Sequence, residues 1–309
     1  MRRRALLIHD EWTEAEIQSP YLVMEALEDG FNFSLSANAL QYKLIEGGDW
    51  INLPARTQLP VNMSKGQKIW LKGSNMTIAE ENGIGIFSTT GKFNLSGNCF
   101  ALLYGDNMDY SAAAPDYCFK NLFKGTSVVN VSSGFLPCKT LGYRCYYNMF
   151  SGCPYLETAP SIPAETLAVG CCGYMFYNCP SLTRAPKLPA LNLANGCYDS
   201  MFRTCTNLIQ APELPATTIV RDCYMGMFYN CTSLETAPDL LASRIDMNSY
   251  NTMFYGCSKL SYVKCLVMYS TDITNGMQKW LNGVAATGTL VKAAGSALTA
   301  PEGWTVVEI

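Results

Sequence analysis

A single histidine, His9, is all the imidazole in this chain of 309 residues. A serine or cysteine nucleophile needs a base within hydrogen-bond reach, so Ser–His or Cys–His chemistry has no partner anywhere past residue 9. Charge is sparse as well: charged side chains make up 15% of the chain and the net charge is −3. The one dense basic run is Arg2 to Arg4, too little for a phosphate-binding face, and nucleic acid is not an expected partner. No apolar run approaches the roughly 18 to 20 residues of a membrane span. The "ALLI" that follows the arginines falls short of the roughly 7 to 15 apolar residues of a secretory signal. The fourteen cysteines contain no C-x-x-C, the short pairing that closes a tetrahedral zinc site, so neither a metal nor another cofactor is expected.

What is present is repetition. Met149-Phe150, Met175-Phe176, Met201-Phe202, Met227-Phe228 and Met253-Phe254 recur every 26 residues, and Cys153, Cys179, Cys205, Cys231 and Cys257 keep the same phase. A second cysteine series, Cys145, Cys171, Cys197 and Cys223, has the same period. Cysteines placed by a repeat are expected to be small, buried, reduced residues. Stacked copies would nevertheless lie about 5 Å apart, within reach of a disulfide. Leu156, Leu182, Leu208, Leu234 and Leu260 form another column, as do Ile162, Leu188, Leu214, Leu240 and Leu266, and Leu167, Leu193, Ile219 and Ile245. Each copy has too few apolar side chains for a core of its own, and stacking makes the core continuous. The columns of Pro160, Pro186, Pro212 and Pro238 forbid a long helix. Cys118 with Leu122-Phe123, and Trp280 in the phenylalanine column, extend the pattern as degraded edge copies.

Ahead of the repeats the text is different. Residues 1–20 read as a lead-in with one helical stretch, "EWTEAEI". Residues 21–108 alternate in short runs ("FNFSLS", "LQYKLI", "KIWLKG") broken by turn residues, which predicts a β-sandwich of seven to eight strands. Within it "GIFSTTGKF", Gly85 to Phe93, misses the phosphate-loop spacing and has Phe93 where a magnesium-binding hydroxyl belongs, so it reads as a β-hairpin. The segment "DYSAAAP" marks a junction. Residues 109–280 are then about six repeats and 281–309 a C-terminal cap. The fold class is β-rich α+β: a β-sandwich followed by a leucine-rich-repeat-like solenoid with short helices or turns.

The phrase "MFxxCxxLxxAPxLPAxxLxxxCYxxMF", carried by Met149 to Phe254, resembles the BspA-like leucine-rich repeats of bacterial surface proteins. The resemblance covers about residues 118 to 280. It implies that Phe and Cys from a short helix or turn, and Leu or Ile from a strand, pack inward, and that the protein works at a cell surface or outside the cell. "GIGIFSTTGKFNLSGNCFALLYGDN" looks like a segment that accompanies such repeats in gut-bacterial and phage-encoded proteins. With no signal peptide, a virion component is the second expectation.

Beside the constant columns the exposed positions vary, and a rigid frame with a changeable surface is how repeat proteins recognise partners. The candidate binding residues are Glu157, Arg184, Lys187, Gln210, Glu213, Glu235 and Asp239. Stacking would bring Glu213 and Asp239 to about 5 Å, the separation of a retaining glycosidase, but a solvated charged strip is the preferred reading and no catalytic residue is assigned. Tyr177, Tyr229 and Tyr255 offer a rival surface, an aromatic platform for sugar rings, whereas Tyr146, Tyr198, Tyr224 and Tyr250 read as a core ladder. The expected function is non-enzymatic recognition of a protein or glycan partner through the repeat face. The alternative is a structural or host-contact part of a phage virion or surface assembly, built into a larger particle through the N-terminal domain.

Overall fold

The computed structural model of the protein describes residues 19–36, 39–74, 86–107 and 113–309. The "EWTEAEI" stretch, Gly85, and most of the junction segment lie outside them. Strands account for 24% and helices for 5% of the structure, in agreement with the β-rich reading, and none of the sheets closes on itself.

The early strands are β1 (Leu22–Ala26), β2 (Asn32–Leu35), β3 (Leu40–Lys43), β4 (Ile51–Leu53), β5 (Lys68–Lys72), β6 (Phe87–Thr90), β7 (Phe93–Gly97) and β8 (Val128–Val131). Six of them form a sheet in the order β4-β3-β5-β1-β7-β8, and β2 pairs with β6 in a separate ribbon. All pairings are antiparallel except β7 with β8. Alternation works as period two requires: Ile69 and Leu71 are buried on one face, while Trp70 lies opposite Val23 and Lys43 on the other. The expected hairpin across Gly91 does not form. β6 and β7 are consecutive but belong to different sheets, and Gly91, at φ +80°, turns the chain from one to the other. A short helix α1 (Ala101–Tyr104) closes this region with Leu102 and Leu103 buried.

The repeats are built on another plan. From Gly142 to Cys153 the odd-numbered amides close tight turns within their own copy, as in Tyr147 N–H to Arg144 O (3.3 Å) and Met149 N–H to Tyr146 O (3.1 Å). Even-numbered amides donate to the next copy: Tyr146 to Cys171 O, Asn148 to Gly173 O, Phe150 to Met175 O and Gly152 to Tyr177 O, at 2.7 to 3.0 Å. The odd-numbered carbonyls in turn accept from the preceding copy, as Met149 O does from Phe123 N–H. Each peptide group is satisfied without forming helix or strand. The geometry needs a left-handed residue every fourth position: 144, 148 and 152; 170, 174 and 178; 196, 200 and 204; 222, 226 and 230; 248, 252 and 256. A positive φ at the third residue of alternate turns is the type II signature.

This four-residue period sends side chains inward in pairs. Cys145-Tyr146, Met149-Phe150 and Cys153 are buried, and so are their counterparts in each copy. The rings stack in register: Phe123, Phe150, Phe176, Phe202, Phe228 and Phe254 lie 5.6 to 5.8 Å apart with interplanar angles of 3° to 11°, and Trp280 follows at 6.4 Å. At the other end Phe87 stacks on Phe123 at 5.1 Å and touches Phe33, so the ladder enters the β2–β6 ribbon. Each fully buried ring stabilises the array by roughly 1.5–3 kcal/mol through removal from water.

The cysteines are free and buried, all fourteen of them. Five of the thiols have a specific role. The Sγ of Cys153, Cys179, Cys205, Cys231 and Cys257 donates to the carbonyl of Phe123, Phe150, Phe176, Phe202 and Phe228, at 3.0 to 3.1 Å. Burial raises these thiols, to about 12 for Cys153, Cys205 and Cys257, so they stay protonated donors.

On the opposite side of each copy, where leucine columns suggested strands, pairing shrinks to single parallel bridges such as Arg184 with Gln210 and Thr166 with Asn192. True strands return at the end: β9 (Tyr262–Cys265), β10 (Gly288–Lys292) and β11 (Trp304–Glu308) form a parallel sheet in the order β11-β10-β9. Between β9 and β10 lies a second helix, α2 (Ser270–Gly276).

Candidate functional site

The expected binding strip lies along the bridge side of the array. Leu156, Leu182, Leu208 and Leu234 are buried, and the next residues along the chain turn outward. Glu157, Arg184, Lys187, Gln210, Glu213, Glu235 and Asp239 are all exposed. Arg184 and Gln210 are bridge partners, with Ala185 N–H donating to Gln210 O at 3.1 Å, so their side chains emerge side by side. Glu213 and Asp239 both face solvent. Asp239 is engaged by Lys264 Nζ at 2.7 Å.

A second surface covers the turn side, and here the structure separates two tyrosine sets that spacing left equivalent. Tyr146, Tyr198, Tyr224 and Tyr250 are fully buried, as the core-ladder reading expects. Tyr177, Tyr229 and Tyr255 are half-exposed, but the faces a sugar would need are largely taken. Tyr229 and Tyr255 stack on each other at 4.7 Å and 10°, and the Arg203 guanidinium covers Tyr229 at 3.9 Å. The repeat pitch that aligns the phenylalanines inside aligns these rings outside as well. Tyr147, Tyr174 and Tyr177 form a tilted cluster at 5.5 and 5.9 Å, with Arg144 5.2 Å from the Tyr147 ring. Gly173 makes room for it, because a Cβ there would sit 2.9 Å from the Tyr147 ring.

Sequence reasoning passed over Arg144, Tyr147, Tyr174, Asp199 and Arg203, since none recurs in a column. Asp199 is the chemically distinctive member. Burial pushes its carboxyl up to about 6, against a hydrogen bond from Ser200 Oγ (2.8 Å), with Asp222 adding to the rise and Arg203 opposing it. The result is an acid that is half-protonated near pH 6, close to the Arg203 charge.

Two depressions are present elsewhere. One, of about 320 Å³, is shallow and lined by Thr217, Thr218, Ile219, Ser243, Arg244, Ile245 and Asp246. The other, of about 360 Å³, lies at the end of β3, β4 and β5. Neither is lined by the seven strip residues. Among the described residues no group of three His, Cys, Asp or Glu side chains is placed to hold a metal ion, and no helix is long and apolar enough to cross a membrane.

In comparisons with known proteins, no family model, no curated protein and no solved structure matches the chain.

Proposed function

We propose that the chain is a non-enzymatic recognition protein, a leucine-rich-repeat-like solenoid of the BspA type carried on a β-rich N-terminal region, that holds a protein or glycan partner on the outside of its repeats. One observation carries this reading: the segregation of constant from variable positions. The Met, Phe and Cys columns and the column from Leu156 to Leu260 are buried, while the strip positions that differ from copy to copy are exposed on a backbone whose amides bond within and between copies. Such a frame can change its surface without changing its core. The acids nearest to a catalytic pair are solvated and one is held by a lysine, which favours recognition over hydrolysis.

The bridge-side strip and the tyrosine–arginine side are the two surfaces available, and composition favours the second, since Tyr and Arg dominate the energetics of protein interfaces. The test is a pull-down from surface proteins and a glycan array, each probed with the wild-type chain and two variants. Reversing the charges of Arg184, Lys187 and Glu213 together should weaken capture if the strip is used, and Tyr174→Ala with Arg203→Ala should do so if the turn side is used. Binding untouched by both would sink the proposal.

A second reading, a rigid structural element of a virion or surface assembly, is supported by the unbroken aromatic ladder from Phe33 to Trp280. Antibody labelling of intact cells against purified phage particles separates the two.

A further inference from the structure

The N-terminal sheet carries a charge arrangement that its own residues leave unbalanced. On the face opposite the Ile69–Leu71 side, Lys43 of β3 lies across from Trp70 of β5, and Gln41 lies between Lys72 of β5 and Asn52 of β4. Both lysines are 8% exposed. They share one aromatic box: the Lys43 ammonium is 5.0 Å from the Trp50 ring centre, 5.4 Å from Tyr21 and 6.0 Å from Trp70, and the Lys72 ammonium is 4.3 Å from Trp50. One carboxylate serves the pair. Asp106 is bonded to Lys72 Nζ at 2.5 Å and accepts the Tyr21 hydroxyl at 2.8 Å; these two bonds, Lys72 first, hold its carboxyl below the usual range.

Among the described residues the Lys43 ammonium forms neither a contact ion pair nor a hydrogen bond: it lies over the three rings and acts on Asp106 only through space, while Lys72 holds that carboxylate directly. Asp49 and Glu46, in the turn before Trp50, are exposed and form no ion pair with it, and Glu25 lies further along β1 opposite Lys68. Cation–π contact recovers part of the cost of burying an ammonium, but it leaves the N–H donors unmatched. A buried cation with spare donors beside half-buried indole rings is a site short of an anion.

The depression of about 360 Å³ adjoins this box, with Lys72 and Asp106 in its wall together with the Gln41 and Asn52 carboxamides and Tyr104. Gln41 Nε2 donates to Asn52 Oδ1 at 3.1 Å, which fixes both amides. Polar amides around a pocket of this size suit a hydroxyl-rich ring better than an extended acidic peptide. We propose that this face binds a carboxylate-bearing saccharide, with the carboxylate on Lys43, the sugar ring against Trp50 or Trp70, and its hydroxyls on Gln41, Asn52 and Asp106. The site is independent of the repeat surfaces and would make the protein a two-site binder.

Calorimetric titration of the full chain with a galacturonic acid trisaccharide, its methyl ester and a hexaglutamate peptide tests this. The acid should bind at least about tenfold tighter than the uncharged ester and than the peptide, and Lys43→Met should lower its affinity by about tenfold or more. Asn52→Ala, on an exposed residue that does not threaten folding, should lower it about threefold and keeps the test meaningful if Lys43→Met melts early. Charge reversal at Arg184, Lys187 and Glu213 should leave it unchanged, so failure here and failure of the repeat-face reading are separate results. Equal affinity for acid and ester, tighter binding of the peptide, no binding of the acid, or insensitivity to both sheet variants would each overturn the assignment.

Discussion

The N-terminal sheet and the repeat array satisfy their peptide groups in different ways, and the difference dictates which residues each can use. In the sheet a residue faces in or out by turns, so the core is filled by whatever apolar side chain fits: Leu22, Met24, Ile69, Leu71, Phe93 and Leu95 alternate along their strands but recur at no fixed interval from strand to strand. In the turn segment of each copy of the array every second amide crosses to the next copy and every fourth residue is left-handed. Side chains then enter in pairs at a fixed pitch, and identical residues meet themselves. Thiol use follows. Five cysteines donate to a phenylalanine carbonyl of the preceding copy, a bond that alanine could not make. The described strands of the N-terminal region, β1 to β8, contain no cysteine.

Alkaline pH should therefore divide the two regions most sharply. Burial raises Cys153, Cys205, Cys223, Cys257 and Cys265 to about 12, above the value near 8.5 of an exposed thiol. A folded-state value above the unfolded one gives stability that is intact below about pH 8.5 and lost as pH rises towards 12, because the unfolded chain releases its protons first. Each such thiol removes roughly 1.4 kcal/mol per pH unit across that window, so five together should cost about 7 kcal/mol between pH 9 and 10, comparable to the whole stability of a domain. Circular dichroism under reductant should show the array unfolding there; a melting temperature unchanged from pH 8 to 10 would refute the ladder of protonated thiols.

Truncating a ring sharpens the contrast. Phe202 stacks on Phe176 and Phe228 at 5.6 and 5.8 Å, and Phe202→Ala should cost about 3–5 kcal/mol. Hydrogen exchange should report lost protection in the copies on both sides. Phe93→Ala should cost a similar amount but expose amides of β1 and β8, its hydrogen-bonded neighbours. Trp280→Ala, at the last ring of the ladder, tilted 56° to Phe254, should cost less than Phe202→Ala.

Asp199 tests the surface of the array rather than its core. Its carboxyl, raised to about 6 by burial, contributes most when neutral; that contribution is whole below about pH 4 and is lost as pH rises through 6. Asp199→Asn should accordingly stabilise the protein by about 2 kcal/mol at pH 7 and by little at pH 4. Equal effects at both pH values would mean that the carboxyl titrates normally.

The phase of the repeat, its edge copies and its inward columns were readable because identical residues recur every 26 positions. The route of the backbone was not, since a four-residue period matches neither the 3.6 of a helix nor the 2 of a strand. A signal was nonetheless present. Of the fifteen left-handed positions between 144 and 256, five are glycine, four asparagine and one aspartate, the residues that tolerate that conformation. The exposure of the strip from Glu157 to Asp239 follows from the pattern too, because polar residues between apolar columns have few alternatives. Arg203 over Tyr229 and Lys43 in its aromatic box were invisible, because each is made by residues that meet only once and at no repeating interval.

The remaining five left-handed positions are Arg144, Tyr174, Ser200, Thr204 and Thr252, where a side chain with a Cβ bears a local cost set by the array's geometry. Thr204, at φ 65°, is β-branched and therefore among the most strained. Its amide still donates to Tyr229 O at 2.7 Å, a bond glycine keeps. Thr204→Gly should raise stability by about 1 kcal/mol, although glycine in a helix or strand usually lowers it by a similar amount. In the β2–β6 ribbon of the N-terminal region, Thr90→Gly provides the strand control. That residue is in β6, at an ordinary negative φ, and its hydroxyl donates to Asn32 O at 3.3 Å, so the same exchange should destabilise by about 1 kcal/mol. Opposite signs in a pair of urea titrations would confirm that the array, unlike the ribbon, selects residues by handedness; the same sign in both would place the origin of its four-residue period elsewhere.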